Sequence, residues 1–192
     1  MIAALVWTAL AVAVVVTELR WANRRRLAAS AAPPGAPLAA ARASDEGLQA
    51  CFVLALAGPV LSAVALGWRT GPVWVSLGGL LGASGVVLRV GAMRALGGRY
   101  MLRLSEQPDD PRLVRDGCYA VVRHPGYTAL VLAAIGLGLV AAGPAAIVWS
   151  LPTLGLVAVR IRVEERMLVR EFGAGYEEYR RAVPGRLVPH VW

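Results

Sequence analysis

The chain has 192 residues, of which 57% are hydrophobic, and carries a net charge of +8 that comes from an excess of arginine, since it contains no lysine. This composition is typical of an integral membrane protein, and the length is that of one structural unit. Apolar segments separated by basic loops favour a membrane over a nucleic-acid partner. The sequence has no zinc-finger or helix-turn-helix pattern that would indicate nucleic-acid binding.

The hydropathy pattern predicts an all-α fold, an integral membrane bundle of about five transmembrane helices with a cytoplasmic C-terminal helical cap. A crossing needs about 20 apolar residues. The two last segments are shorter, and we expect them to form a hairpin that turns at Ala142-Gly143-Pro144. Its arms either tilt little or have their polar ends in the headgroup zone. In chain order the predicted spans are 2–19, 48–68, 72–96, 127–142 and 144–159.

The distribution of arginine predicts the orientation. Segments 18–47, 97–127 and 160–192 hold five, five and seven of the 20 basic residues, so the positive-inside rule makes them cytoplasmic. No basic residue precedes the first apolar run and several follow it, which is typical of an anchor with its N-terminus outside. Residues 1–96 and 97–192 are expected to form the two parts of one structural unit.

A polar motif, Arg123-His124-Pro125-Gly126-Tyr127, stands at the start of the hairpin. Proline forces the preceding residue out of helical geometry and is favoured at the first helical position. His124 is therefore expected at the entrance of the helix, beside free backbone N–H groups that attract an anion such as a carboxylate. The alternative is an interfacial capping histidine. Arg123 alone is most simply a membrane-surface anchor.

A second charged cluster follows the hairpin. Arg160 and Glu164 are four residues apart and share one helical face, which fits either a functional pair or an internal ion pair. An acidic residue at a membrane edge is the less expected of the two, so Glu164 is the more informative. Glu165 points about 100° away from Glu164 on a helix and is expected to be solvated.

Four further features of the sequence have a structural interpretation. Arg89, within the third predicted span, either snorkels or lines a polar cavity. The aromatic and apolar residues of the tail favour a packed core over a cofactor-binding surface, in two short cytoplasmic helices broken at 173–175. Cys51 and Cys118 form neither a disulfide framework nor a metal site, so no metal is predicted. A glycine stripe in the third span is either a packing face or only compositional: Gly78, Gly79, Gly82 and Gly85.

Taken together, the second half of the chain resembles the isoprenylcysteine carboxyl methyltransferase family of integral membrane methyltransferases. The resemblance covers residues 97–192 and lies in the order and spacing of several short motifs. A run of Arg after Glu18-Leu19 also resembles a bacterial branch associated with type III polyketide synthases. The matching residues are Leu113-Val114, Gly117, Tyr119, Arg123-His124-Pro125, Tyr127, Arg160, Glu164-Glu165, Phe172-Gly173, Tyr176, Tyr179 and a basic-Leu-x-Pro end.

The resemblance implies S-adenosyl-L-methionine as the methyl donor. It implies that Arg160 acts on the substrate side of the site as its catalytic residue. The residues that it implies for binding the cofactor are Leu113, Val114, Tyr119, His124, Pro125, Tyr127 and Glu164.

The function that follows from the resemblance is methyl transfer to a carboxylate or acidic hydroxyl of a lipophilic, isoprenylcysteine-like substrate, either a small molecule or a prenylated one. An alternative is O-methylation of polyketide lipids such as alkylpyrones, and an alternative of another class is a non-catalytic membrane scaffold. The expected surroundings are membrane lipids without nucleic acid, in a bacterial inner membrane with the active site facing the cytoplasm. The sequence does not indicate an oligomeric state.

Overall fold

The computed structural model describes residues 11, 12, 14, 55, 57–67, 69–96, 113–189 and 191. The predicted first span, residues 2–19, lies almost wholly outside the described residues, as does the first part of the second. Secondary structure in the described part of the chain is helical, without strands.

Five helices lie within the described ranges. Two helical stretches, 72–96 and 125–172, are long and apolar enough to cross a membrane, which together with the composition indicates a membrane protein. The predicted number of five spans and the cytoplasmic cap remain predictions. The helices are α1 (Ala57–Leu66), α2 (Pro72–Leu96), α3 (Pro125–Ala142), α4 (Ala146–Phe172) and α5 (Ala174–Ala182), with 3₁₀ turns at Gly117–Ala120 and Gly143–Ala145.

Helices α3 and α4 form the predicted hairpin. Gly143 ends α3 with φ of 59°, a left-handed backbone conformation that glycine adopts without the Cβ clash of other residues. Pro144 follows and cannot donate the backbone hydrogen bond that would continue the helix. The turn is fastened to the loop before α2, because the Thr70 hydroxyl donates a hydrogen bond to the Ala141 carbonyl at 2.9 Å.

The glycine stripe of α2 is a packing face against α3. A Cβ on Gly78 would lie 2.6 Å from the carbonyl oxygen of Gly136, and one on Gly85 would lie 2.7 Å from that of Ala129. Only small residues permit backbones to approach this closely. On the opposite face, α2 exposes large apolar side chains, as expected of a surface in contact with lipid: Val73, Leu80 and Val87 are each about 70% exposed.

The end of α4 differs from the sequence prediction. The fifth span was expected to end at residue 159 and to be followed by two short helices, but α4 continues without interruption to Phe172. Hydropathy marks where a helix leaves an apolar environment, and a helix rich in Arg, Glu, Leu and Met can continue beyond that point. The predicted break at 173–175 is confirmed, since Gly173 has φ of 51° and α5 begins at Ala174.

The chain after α5 returns to the start of α3. We call residues 183–187 the C-terminal strap. Leu187 of the strap packs against Val157 and Ile161 of α4 in a cluster that also includes Tyr127 and Val131 of α3. This cluster joins the strap to both arms of the hairpin.

Candidate functional site

The polar motif lies at the N-terminus of α3, as predicted. His124 is the N-cap residue and Pro125 is the first helical residue. Two backbone N–H groups at this position have acceptors within the protein: the N–H of His124 donates to the Arg186 carbonyl at 2.9 Å, and that of Tyr127 donates to the His124 carbonyl at 3.0 Å. The strap therefore accepts the hydrogen bond of the His124 N–H, one of the donors that the sequence predicted for an anion.

Three predicted site residues meet where α3 and α4 lie side by side. The Tyr127 hydroxyl donates a hydrogen bond to Glu164 Oε2 at 2.7 Å, and Arg160 Nε donates one to the Tyr127 oxygen at 3.1 Å. All three side chains are partly buried. Arg160 and Glu164 share a helical face, as predicted, and the tyrosine from the other arm of the hairpin connects them. We call Arg160, Tyr127 and Glu164 the hairpin triad.

The predictions for Glu165 and Arg123 were wrong. Glu165 is only 6% exposed and Arg123 only 7%, so one is not solvated and the other is not a surface anchor. Arg123 Nη2 lies 2.7 Å from Glu165 Oε1, and Arg123 Nη1 also donates to the carbonyls of Val183 and Pro184. A buried carboxylate requires such partners, because desolvation without them is very unfavourable.

Two further side chains, those of Arg186 and His124, lie next to the Glu165 carboxylate. Arg186 binds both of its oxygens, with Nη2 at 2.8 Å from Oε2, and His124 Nε2 lies 3.6 Å from Oε1. The hydrogen bond to Glu165 raises the pKa of Arg186. The two consecutive glutamates thus have different surroundings. Glu164 belongs to the hairpin triad, and Glu165 belongs to a buried ion cluster, which consists of Glu165, Arg123 and Arg186, with His124 beside it.

The remaining predicted cofactor residues lie on the chain before α3. Leu113 packs on an aromatic cluster of α5, and the Tyr119 carbonyl accepts a hydrogen bond from the Tyr179 hydroxyl at 2.6 Å. Burial raises the pKa of Tyr179 to about 12. Val114 precedes the same loop and is partly buried. The aromatic residues of the tail are core residues, as predicted. The role of Leu113, Val114 and Tyr119 in cofactor binding stays a prediction.

Arg89 is directed into the protein rather than along its surface. It is 6% exposed, and its Nη1 donates to the carbonyl of Gly126 at 3.1 Å, in the first turn of α3. It also lines a small cavity between α2 and α3. The other walls of this cavity are apolar, so the predicted cavity exists but is not a polar one; they are Val14, Gly85, Val86, Ala129, Leu130 and Ala133.

Comparison with known proteins identifies the segment that carries this geometry. Residues 79–170 match the model of the isoprenylcysteine carboxyl methyltransferase family. The family resemblance predicted from the sequence is confirmed. The matched segment contains α3, nearly all of α4, the hairpin triad and Glu165, but not the strap.

Several curated relatives are methyltransferases by name. The protein-S-isoprenylcysteine O-methyltransferase of Schizosaccharomyces pombe is 36% identical over 102 residues, which are 52% of this chain and 43% of the relative. Its Xenopus laevis counterpart is 33% identical over 114 residues, 58% of this chain and 40% of the relative. Methanethiol S-methyltransferase 2 of Bradyrhizobium diazoefficiens is 38% identical over 74 residues, 38% of this chain and 27% of the relative. The chain thus spans less than half the length of these relatives.

Sequence reasoning did not select Glu165, Arg123 or Arg186 as residues of the site. Two signals for them were present. Glu165 directly follows Glu164 in a helix that lies against the polar motif, and Arg186 is the basic residue of the basic-Leu-x-Pro end. Neither signal could be interpreted without knowing that the strap returns to α3.

Proposed function

We propose that the protein is a membrane-embedded methyltransferase that uses S-adenosyl-L-methionine to methylate a carboxylate or acidic hydroxyl of a lipophilic acceptor. The observation that carries the proposal is the hairpin triad, which lies at the polar end of an apolar hairpin within the segment that matches the family. The proposed site faces the cytoplasm of a bacterial inner membrane, where a water-soluble donor and a membrane-dissolved acceptor can both reach it.

The side chains present fit such a donor. When bound, S-adenosyl-L-methionine supplies an electrophilic methyl group on a sulfonium, and it also carries an ammonium and a carboxylate. Glu164 offers a partly buried carboxylate that is oriented by the Tyr127 hydroxyl, which suits an ammonium group. We assign Leu113, Val114, Tyr119, His124 and Pro125, with Tyr127 and Glu164, to the donor side of the site.

Arg160 is proposed to hold the acceptor. A carboxylic acid of this kind has a pKa of about 3.5 and is ionised at neutral pH, so methylation needs no general base. A guanidinium group can orient a carboxylate through two parallel hydrogen bonds. Arg160 is itself positioned by its hydrogen bond to Tyr127. Catalysis then rests on orientation and on the exclusion of water.

The test is transfer of a labelled methyl group by the detergent-purified protein to a panel of acceptors: a farnesylated cysteine, an alkylpyrone and methanethiol. We expect label in the farnesylated cysteine or the alkylpyrone. Methanethiol is included because a bacterial relative is named for it. Transfer to methanethiol alone would contradict a lipophilic acceptor, and no transfer to the panel or to a membrane lipid extract would favour a non-catalytic scaffold.

Arg160→Ala should lower turnover by about 100-fold, as expected for the loss of an oriented charge–charge contact. Its affinity for S-adenosylhomocysteine should stay within a few-fold of wild type. Arg162→Ala is the matched control, since Arg162 is exposed on the same helix. Equal turnover in the two variants would contradict the role assigned to Arg160.

A further inference from the structure

The C-terminal strap binds the start of α3 through its backbone. The N–H of Arg123 donates to the Gly185 carbonyl at 2.9 Å, and the N–H of His124 donates to the Arg186 carbonyl at 2.9 Å. The Thr128 hydroxyl donates to the Leu187 carbonyl at 2.8 Å. The strap thus runs beside the start of α3, and three of its successive carbonyls accept hydrogen bonds from Arg123, His124 and Thr128.

Arg186 joins this pairing to the other arm of the hairpin. Its carbonyl accepts the hydrogen bond from His124, while its guanidinium binds both oxygens of Glu165 in α4 at 2.8 to 3.2 Å. Arg186 therefore contacts Glu165, which is next to Glu164 in α4, and His124, which is three residues before Tyr127.

We infer that Arg186 is a positioning residue for the proposed site, which fixes the start of α3 relative to Glu164 by tying the strap to Glu165. The inference rests on the proposed function. Its physical reason is that Tyr127 and Glu164 come from different helices, so their 2.7 Å contact depends on the relative placement of the two helices. A displacement of about 1 Å is enough to impair a site of this kind.

Arg186→Ala tests the inference without removing the centre of the buried ion cluster, because Arg123 still neutralises Glu165. The Arg186 side chain is 23% exposed against 5% for Arg123, so the variant is expected to fold. Arg186→Lys keeps the charge and can reach one carboxylate oxygen. Arg180→Ala is the control for the loss of one arginine, since Arg180 pairs only with Glu177 on the surface of α5 among the contacts described.

Two quantities are measured on the detergent-purified full chain: the dissociation constant of S-adenosylhomocysteine by calorimetry, and hydrogen exchange of the backbone amide of His124 by mass spectrometry. For Arg186→Ala we expect faster exchange at His124 and a dissociation constant raised about tenfold, the effect of losing one charge-assisted hydrogen bond. Arg186→Lys should recover most of the affinity. Arg180→Ala should match wild type in both measurements.

Faster exchange with unchanged affinity in Arg186→Ala would overturn the positioning role and leave Arg186 as a stabilising residue only. Unchanged exchange at His124 would show that Arg186 does not hold the strap, and would overturn the inference as well. If the wild type does not bind S-adenosylhomocysteine, the proposed function fails and the positioning role fails with it. The exchange data would then still show whether Arg186 fixes the strap, so the two failures are distinguishable.

Discussion

Replacement of Glu165 by glutamine should destabilise the protein far more than the same change at Glu164. Glu165 is 6% exposed, and its two oxygens accept hydrogen bonds from Arg123 and Arg186 at 2.7 to 3.2 Å. Glutamine keeps the shape but removes the charge and turns one acceptor into a donor. Arg123, whose side chain is 5% exposed, would then be buried without a counterion.

Removal of one partner of a buried ion pair costs about 3–5 kcal/mol. For a chain of this size, 1 kcal/mol corresponds to a change of about 2–4 °C in melting temperature, so Glu165→Gln should lower it by roughly 6–20 °C. Glu164→Gln loses part of one hydrogen bond, from Tyr127, in a partly buried position, and should cost about 1 kcal/mol.

The assay is thermal unfolding of the purified variants in one detergent, followed by tryptophan fluorescence. The pair is well matched because the two glutamates are consecutive in α4 and undergo the same chemical change. Similar melting temperatures for the two variants would contradict this prediction, because they would show that Arg123 does not depend on Glu165 for its charge compensation.

Three further predictions concern the same molecule. Tyr127→Phe removes the hydroxyl that links the two charged residues of the hairpin triad, and should weaken S-adenosylhomocysteine binding about 5- to 10-fold by calorimetry; unchanged affinity would contradict the linkage. Gly85→Ala should lower the free energy of unfolding by about 1–3 kcal/mol, because the added Cβ would lie 2.7 Å from the Ala129 carbonyl oxygen. Gly91→Ala is the control, since Gly91 faces open space in the same helix and its replacement should not lower the free energy of unfolding. Burial raises the pKa of Tyr179 from 10 to about 12, so the stability that the protonated side chain contributes is complete below pH 10 and is lost as the pH rises towards 12. Tyr179→Phe should therefore flatten the decline in melting temperature between pH 10 and 12. A decline equal to that of the wild type would contradict this prediction.

The parts of the fold that are decided by residues close together in the chain could be predicted from the sequence. The predicted third span has the same bounds as α2, and Pro125 begins α3 because proline favours the first helical position. Gly143 and Gly173 end helices because each takes a positive φ. In all these cases the deciding interaction lies within a few residues of the chain.

Predictions failed where the deciding contact is distant in sequence. The helical period correctly placed Glu165 on a different face from Glu164, but that face is covered by Arg123, 42 residues before it, and Arg186, 21 residues after it. A hydropathy pattern contains no information about such pairing. The same holds for the backbone amides of Arg123 and His124, which donate to the strap carbonyls of Gly185 and Arg186.

The proposed function depends most on Glu164, which we assign to the donor-binding site. The most direct test is calorimetric titration of the detergent-purified protein with S-adenosylhomocysteine, with the wild type beside Glu164→Gln. We expect micromolar binding by the wild type that is lost in the variant, while the variant keeps a melting temperature close to that of the wild type. Binding that survives in Glu164→Gln, or a folded wild type that does not bind, would contradict this assignment.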